Sequence, residues 1–102
     1  MKIPFTDLPA QNAECRADID SAIKDYIDRA SFITGPDVEQ FERIIANYLQ
    51  ANDCAATGSG TTALQVALLA CGVGKGDEVI STSHTFVSTP EAIINVGATP
   101  VM

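Results

Sequence analysis

Residues 54–72 have the sequence CAATGSGTTALQVALLACG, which is the most informative part of the chain for its fold class. A short apolar run, residues 54–57, leads to two closely spaced glycines, and a second apolar run covers residues 63–71. The pattern predicts a strand, a tight glycine turn and a helix that ends at Gly72. Because Gln65 is the only polar residue of the second run, this helix is expected to be buried against other elements.

The same alternation continues to the last residue. Residues 78–82 (EVIST) predict a second strand, and residues 88–91 (STPE) fit a capping box with proline at the first helical position. Gly97 is expected to end that helix, and residues 99–102 to open a third strand. Strands that alternate with helices are typical of parallel crossover units, so the sequence predicts an α/β fold with a parallel sheet.

Two amphipathic helices are expected before the first strand. Pro4 and Pro9 indicate an extended lead-in over residues 1–11, and Asn12 is the expected N-cap of the first helix. A Gly-Pro turn at residues 35–36 precedes a second helix. Its apolar residues recur at helical spacing: Val38, Phe41, Ile45 and Tyr48.

The length of 102 residues fits one domain or a piece of a larger one. No composition shift marks an internal boundary, so residues 1–102 are interpreted as one part of a single domain. Three short parallel strands with four helices make an unfinished sheet, because a parallel sheet needs cover on both faces. Length and pattern together therefore predict a truncated, N-terminal portion of a larger protein.

Charge and composition exclude several classes of partner. Hydrophobic residues make up 46% of the chain, which is globular composition, and the net charge of −7 comes without any basic cluster. Nucleic acid and anionic membranes are therefore not expected partners. No apolar run is long enough to span a membrane and the N terminus has no signal-like apolar region, so a cytoplasmic location is expected. The three cysteines are too widely spaced for a metal or redox pair and are expected to be buried: Cys15, Cys54 and Cys71.

The glycine loop, residues 58–62, is the strongest candidate site. It opens a helix at the expected carboxyl end of a strand, where free N–H groups and the helix dipole favour an anion such as phosphate. A simple turn with a capped helix is the alternative. No lysine follows Gly60, so the Walker motif is absent. Gly58, Gly60 and Ala63 satisfy GxGxxA, but the next strand does not end in an acid, which disfavours a dinucleotide.

Two ring side chains follow the second predicted strand. Phe86 is expected on the same edge of the sheet as the glycine loop, where it would stack on a flat heteroaromatic cofactor that carries one phosphate. The alternative is that Phe86 fills the core. His84 is a candidate proton carrier, but no second acid, base or metal ligand pairs with it, so it receives no catalytic role.

Five strings in order extend this interpretation. They are residues 33–36 (ITGP) followed by Val38, Phe41 and Glu42, then residues 58–64 (GSGTTAL), 76–80 (GDEVI), 85–89 (TFVST) and 97–101 (GATPV). In sequence and spacing they resemble the N-terminal part of the DegT/DnrJ/EryC1/StrS sugar aminotransferases. The resemblance implies the large domain of the aspartate-aminotransferase-like fold, the cofactor pyridoxal 5′-phosphate and a homodimer. It also implies transfer of an amino group, usually from glutamate, to a keto sugar linked to a nucleotide.

The resemblance also assigns residues. The implied cofactor-binding residues are Ser59, Gly60 and Thr61 on the phosphate and Phe86 on the pyridine ring. Thr34 and Gly35 match a loop near the active site of the family. Gly58 replaces the usual Asn or Ser, which removes a side-chain contact and leaves the backbone of the loop unchanged.

No lysine of the chain matches the family's Schiff-base lysine, which lies beyond the region that resembles this sequence. Lys2, Lys24 and Lys75 are expected on the surface, so the 102 residues alone are not expected to transaminate, and no catalytic residue or metal ligand is assigned. The alternative function is a truncated, non-catalytic remnant or a phosphate-binding module. Related sequences also dehydrate sugars or act as regulators, and the resemblance leaves these activities open.

Overall fold

The computed structural model describes residues 5–33 and 35–102. The elements, in chain order, are α1 (Leu8–Arg29), α2 (Pro36–Leu49), α3 (Gly60–Ala70), β1 (Glu78–Ile80), α4 (Ser88–Asn95) and β2 (Thr99–Val101). The chain forms two compact units that divide between Phe41 and Glu42, within α2. The two leading helices of the sequence prediction are thus present.

Helix α1 begins earlier than the sequence predicted. Asp7 is its N-cap, and the Asp7 side chain accepts a hydrogen bond of 3.1 Å from the N–H of Ala10. Pro9 lies in the first turn, where proline is tolerated because the N–H groups there have no intrahelical partner. The predictions of an extended lead-in up to residue 11 and of a cap at Asn12 are therefore wrong. Pro4 lies outside the described residues.

Ionic contacts join the end of α1 to the start of α2. The guanidinium of Arg29 lies 2.7 Å from the carboxylate of Asp25 and 3.2 Å from that of Asp37, and 5.1 Å from the centre of the Tyr26 ring. Hydrogen bonds, to Asp25 first and Asp37 second, raise the pKa of Arg29. Partial desolvation raises the pKa of Tyr26, and the hydrogen bond and charge of Asp37 raise it further. These contacts fix the corner between the two helices.

Strands β1 and β2 pair in parallel. The register places Glu78 opposite Thr99, and two flanking bonds lengthen the ladder, from the Ser81 N–H to the Val101 carbonyl (2.8 Å) and from the Thr99 N–H to the Asp77 carbonyl (2.9 Å). Helix α4 connects the strands, as parallel pairing requires. The predicted second and third strands are thus confirmed, although β1 ends at Ile80.

The predicted first strand, residues 54–57, is not a strand. In the part of the chain that the structure describes, the sheet has two strands, and residues 54–57 pair with neither. An apolar run becomes a strand only when a neighbouring strand supplies the ladder of hydrogen bonds. The segment therefore runs from α2 to α3 as irregular backbone.

Helix α3 packs against α4 but is largely exposed. The buried apolar residues among those described are Ala46 of α2, Ala92 and Ile93 of α4, and Ala98. No residue of α3 is buried, and Leu69 is 59% exposed. The prediction that α3 is buried is wrong for the described chain, because α4 is the one helix that packs extensively against it.

Helices α3 and α4 end at the glycines that the sequence predicted, whereas the predicted capping box of α4 does not form. Gly72 (φ +76) and Gly97 (φ +88) have left-handed backbone after α3 and α4, as the sequence predicted. Helix α4 has Val87 as its N-cap without a side-chain hydrogen bond, so the predicted capping box is wrong. Pro90 is the third residue of the helix, which still lies in the turn that needs no intrahelical N–H bond.

The cysteines also differ from the prediction. Cys15 and Cys71 are exposed and Cys54 is half-buried. Cys15 lies on α1, which has no buried residue, and Cys71 is the C-cap of α3. Burial requires a second packed layer, and the described elements supply none at these two positions.

Candidate functional site

The glycine loop forms the N-terminal end of α3. Ser59 is the N-cap, with extended backbone (φ −164, ψ 163), and its Oγ accepts a hydrogen bond of 3.1 Å from the Thr62 N–H. The first intrahelical bond runs from the Ala63 N–H to the Ser59 carbonyl, at 2.9 Å. The N–H groups of Gly60 and Thr61 precede this bond and have no partner inside the helix. They are available to an anion at the positive end of the helix dipole.

The space around the loop is open. A Cβ placed on Gly58 or on Gly60 would meet no atom within 4 Å. Ser59 and Gly60 are exposed, and Thr61 is half-buried. Space beside the loop is therefore free for a phosphate, and the residues present fit the phosphate end of pyridoxal phosphate.

Phe86 lies between β1 and α4 with its ring in the open. The side chain is 75% exposed, while the backbone carbonyl accepts a hydrogen bond of 3.0 Å from the Thr89 N–H. The hydroxyls of Thr85 and Thr89 lie 3.0 Å apart and join the same segment to the first turn of α4. Phe86 is thus an anchored residue with a free aromatic face, and the alternative that it fills the core is wrong for the described chain.

One cavity shows how these elements meet. It has a volume of about 180 Å³ and lies between α3, β1 and α4. Leu64 in the second turn of α3, Ser81 just beyond β1 and Thr89 in the first turn of α4 all line it. The cavity therefore shows that α3 and the first turn of α4 both lie beside the carboxyl end of β1, whereas the glycine loop and Phe86 do not line it.

Two further residues named from the sequence, His84 and Gly35, accept local hydrogen bonds through their backbone carbonyls. His84 is exposed, and its backbone carbonyl accepts a hydrogen bond of 3.3 Å from the Thr82 hydroxyl. The carbonyl of Gly35 accepts from the N–H of Val38 (3.0 Å) and so begins α2. Thr34 lies outside the described residues.

The two lysines that the structure describes are exposed surface residues. Lys24 forms an ion pair with Asp28 on α1, and Lys75 is exposed in the turn before β1. Lys2 lies outside the described residues. Among residues 5–33 and 35–102, no group of three acidic, histidine or cysteine side chains is arranged to hold a metal ion, and no helix is long and apolar enough to cross a membrane.

Sequence reasoning missed one contact near the loop. The carboxylate of Glu42 accepts a hydrogen bond of 2.7 Å from the N–H of Ala56. The two residues lie on either side of the connection between α2 and α3, so no helical or strand periodicity relates them. The signal available in the sequence was the position of Glu42 within the strings of the resemblance.

Comparison with known proteins decides the family. The model of the DegT/DnrJ/EryC1/StrS aminotransferase family matches residues 13–102. The chain belongs to this family. Pyridoxal phosphate is the family's cofactor.

Individual relatives match nearly the whole chain. The erythromycin biosynthesis sensory transduction protein EryC1 of Saccharopolyspora erythraea is 46% identical over 99% of this chain and 28% of its own length. The dTDP-3-amino-3,4,6-trideoxy-alpha-D-glucose transaminase of Streptomyces venezuelae is 42% identical over 98% of this chain and 26% of its own length. The chain therefore spans about a quarter of the length of the curated relatives it matches.

Solved structures show the same fold. DesV of S. venezuelae matches with a TM-score of 0.90 and 42% identity, over 98% of this chain and 27% of DesV. NtdA of Bacillus subtilis, solved with the bound cofactor PMP, matches with a TM-score of 0.89 and 34% identity, over 98% of this chain and 23% of NtdA. The predicted fold class, part of the α/β large domain of these enzymes, is confirmed.

Proposed function

We propose that these 102 residues form the N-terminal, cofactor-binding portion of a pyridoxal-phosphate-dependent aminotransferase. The observation that carries the proposal is the open N-terminal end of α3, with the Gly60 and Thr61 N–H groups beside the Ser59 hydroxyl. In a member of this family, an open anion site at this position is the expected phosphate site of the cofactor.

Each residue of the site has a separate task. Ser59, Gly60 and Thr61 bind the phosphate through one hydroxyl and two backbone N–H groups, without a positively charged side chain, because the helix dipole supplies the positive potential. Phe86 stacks on the pyridine ring and fixes its plane. Pyridoxal phosphate, when bound, supplies the electron sink for amino-group chemistry, and these residues supply its position.

The substrates follow from the relatives. The Streptomyces venezuelae relative acts on a dTDP-linked sugar, as its name states. We infer that the complete protein transfers an amino group from glutamate to the keto group of a nucleotide-linked sugar, in aminosugar or polysaccharide biosynthesis. A homodimer in the cytoplasm is part of the same proposal, since active sites at a subunit interface are expected for this family.

The test uses the complete protein, meaning the polypeptide of the whole reading frame that contains this sequence. After incubation with pyridoxal phosphate and reduction with borohydride, an aminotransferase carries the cofactor covalently on one lysine, which peptide mass spectrometry locates. The proposal predicts a label outside the 102 residues, because no lysine of the chain matches the Schiff-base lysine of the family and the described lysines, Lys24 and Lys75, are exposed. Loss of all cofactor on desalting after reduction would contradict it.

The non-catalytic alternative has one observation in its favour. Lys24 forms an ion pair with Asp28 and Lys75 lies in a surface turn, so both described lysines are exposed surface residues. A phosphate-binding module would bind pyridoxal phosphate reversibly through the glycine loop. It would give no covalent label with borohydride, and the same experiment therefore separates the two functions.

A further inference from the structure

The connection between α2 and α3 carries the glycine loop. Residues 50–59 have no ladder partner among the described strands. The connection starts with a helix-end bond, from the Ala51 N–H to the Ala46 carbonyl at 2.9 Å. Near its far end, the Thr57 hydroxyl donates to the Ser59 carbonyl at 3.0 Å, which is a local contact. A connection of this kind needs a contact from another element to hold its position.

Glu42 supplies that contact. It is half-buried on α2, and its Oε1 accepts a hydrogen bond of 2.7 Å from the Ala56 N–H. A carboxylate acceptor makes a shorter and stronger bond to an N–H group than a neutral acceptor does. The carboxylate thus takes the place of the strand carbonyl that the Ala56 N–H would meet in a sheet.

We propose that Glu42 is a positioning residue for the phosphate site: it holds Ala56 and thereby fixes where the glycine loop presents its N–H groups. This inference rests on the proposed function for the identity of the ligand. The claim that Glu42 fixes the position of the connection rests on the Glu42–Ala56 hydrogen bond alone.

The chain between the two contacts is short. Ala56 lies three residues before the N-cap Ser59. Because this connection is so short, a displacement of Ala56 also displaces Ser59 and Gly60. A phosphate site made of backbone donors depends on the position of the backbone, because hydrogen bonds weaken steeply outside their normal range of distance and angle. Glu42 therefore acts on cofactor binding without touching the cofactor.

The experiment compares three variants of the complete protein. Glu42→Ala removes the acceptor, Glu42→Gln keeps a neutral acceptor of the same length, and Glu14→Ala is the matched control on an exposed glutamate of α1. Pyridoxal phosphate affinity is measured by absorbance titration. Hydrogen exchange of the cofactor-free protein is followed by mass spectrometry in peptides that cover residues 51–63 and α4.

The expected result is selective. Glu42→Ala raises the dissociation constant of pyridoxal phosphate about tenfold, Glu42→Gln stays within about threefold, and Glu14→Ala equals the wild type. Exchange in residues 51–63 becomes faster in Glu42→Ala, while α4 keeps its protection.

Three results would overturn the inference. They are wild-type affinity of Glu42→Ala, unchanged exchange in residues 51–63, and loss of protection in α4 as well, which would make Glu42 a general stabiliser. A wild type that does not bind pyridoxal phosphate would instead contradict the proposed function. The exchange measurement would then still test the Glu42–Ala56 contact.

Discussion

At the scale of single residues, the Ser59 hydroxyl has two roles: it caps α3, and it belongs to the proposed phosphate site. Its Oγ accepts from the Thr62 N–H at 3.1 Å, which caps α3, and lies 3.0 Å from the Thr62 hydroxyl. The same oxygen borders the proposed phosphate site. Stability and cofactor binding are therefore coupled in one atom, and a suitable pair of substitutions separates them.

Ser59→Ala is expected to lower the free energy of unfolding by about 1 kcal/mol, because the N-cap bond is lost, and to weaken pyridoxal phosphate binding. Ser59→Asp keeps the cap, since aspartate and serine are equivalent N-caps, but its charge opposes the phosphate and raises the dissociation constant more than about tenfold. Denaturant unfolding and cofactor titration of the complete protein check both values. Strong cofactor binding by Ser59→Asp would remove Ser59 from the phosphate site.

Phe86→Ala is expected to raise the dissociation constant of pyridoxal phosphate about tenfold, because the pyridine ring of the cofactor loses its stacking contact with the Phe86 ring. The free energy of unfolding should change little, since the side chain is 75% exposed and leaves no cavity. Phe86→Trp is the control that keeps an aromatic face and the affinity. An unchanged affinity of Phe86→Ala would contradict the stacking role.

At the scale of elements, apolar periodicity and C-terminal glycines predicted the helices better than the expected N-caps did. The run of residues 63–71 predicted α3, and Gly72 and Gly97 predicted two helix ends, because left-handed backbone is a local property of glycine. The starts of α1 and α4 were wrong, since Asp7 and Val87 are the caps and proline fits anywhere in the first turn.

The strand predicted over residues 54–57 failed for a different reason. Pairing is non-local, so a sequence pattern cannot show whether a partner strand is present. The same limit applies to Glu42, whose bond to Ala56 joins two elements. The open glycine loop, by contrast, depends on local geometry, and the sequence located it. Its phosphate role and that of Phe86 remain predictions until the ligand is measured.

The corner between α1 and α2 gives a pH-dependent prediction. Asp37→Asn is expected to lower the pKa of Tyr26, because it removes the charge that raises this pKa after desolvation. A raised pKa in the folded state means that the contribution of Tyr26 to stability is full below about pH 10 and is lost as the pH rises through the folded value.

Near-ultraviolet titration of the phenolate measures the change, and the difference from Tyr26→Phe assigns the signal. Asp18→Asn, on the exposed surface of α1, should leave the titration as in the wild type. If Asp37→Asn titrates like the wild type, the Tyr26–Asp37 contact does not form in solution.

At the scale of the whole molecule, the buried apolar surface is small. Among the described residues, Ile93 is the one large buried side chain, and the other members of the core are alanines. A core of one isoleucine and three alanines buries little apolar surface, and apolar burial is the main favourable contribution to folding. The described contacts do not stabilise 102 residues by themselves.

The isolated 102-residue polypeptide is therefore expected to unfold without a sharp thermal transition and to bind a hydrophobic dye. The dye would bind exposed apolar side chains of α3 such as Leu64 and Leu69. Calorimetry and dye fluorescence, with the complete protein as the comparison, make the measurement. A cooperative transition with no dye binding would show that the described contacts are sufficient.

The parallel pair β1–β2 also bears on the order of events during folding. A single helix, α4, separates the two strands and packs against β2, so the loop closed by the strand pairing is short for a parallel ladder. Closure of a short loop costs little conformational entropy, which favours rapid formation of the strand pair. In pulse-labelled refolding of the complete protein, we expect the Ser81 and Thr99 amides, whose bonds flank the ladder, to gain protection together and early, and late protection of either amide would contradict this. The ribosome would then release this β-α-β segment with its two strands already paired.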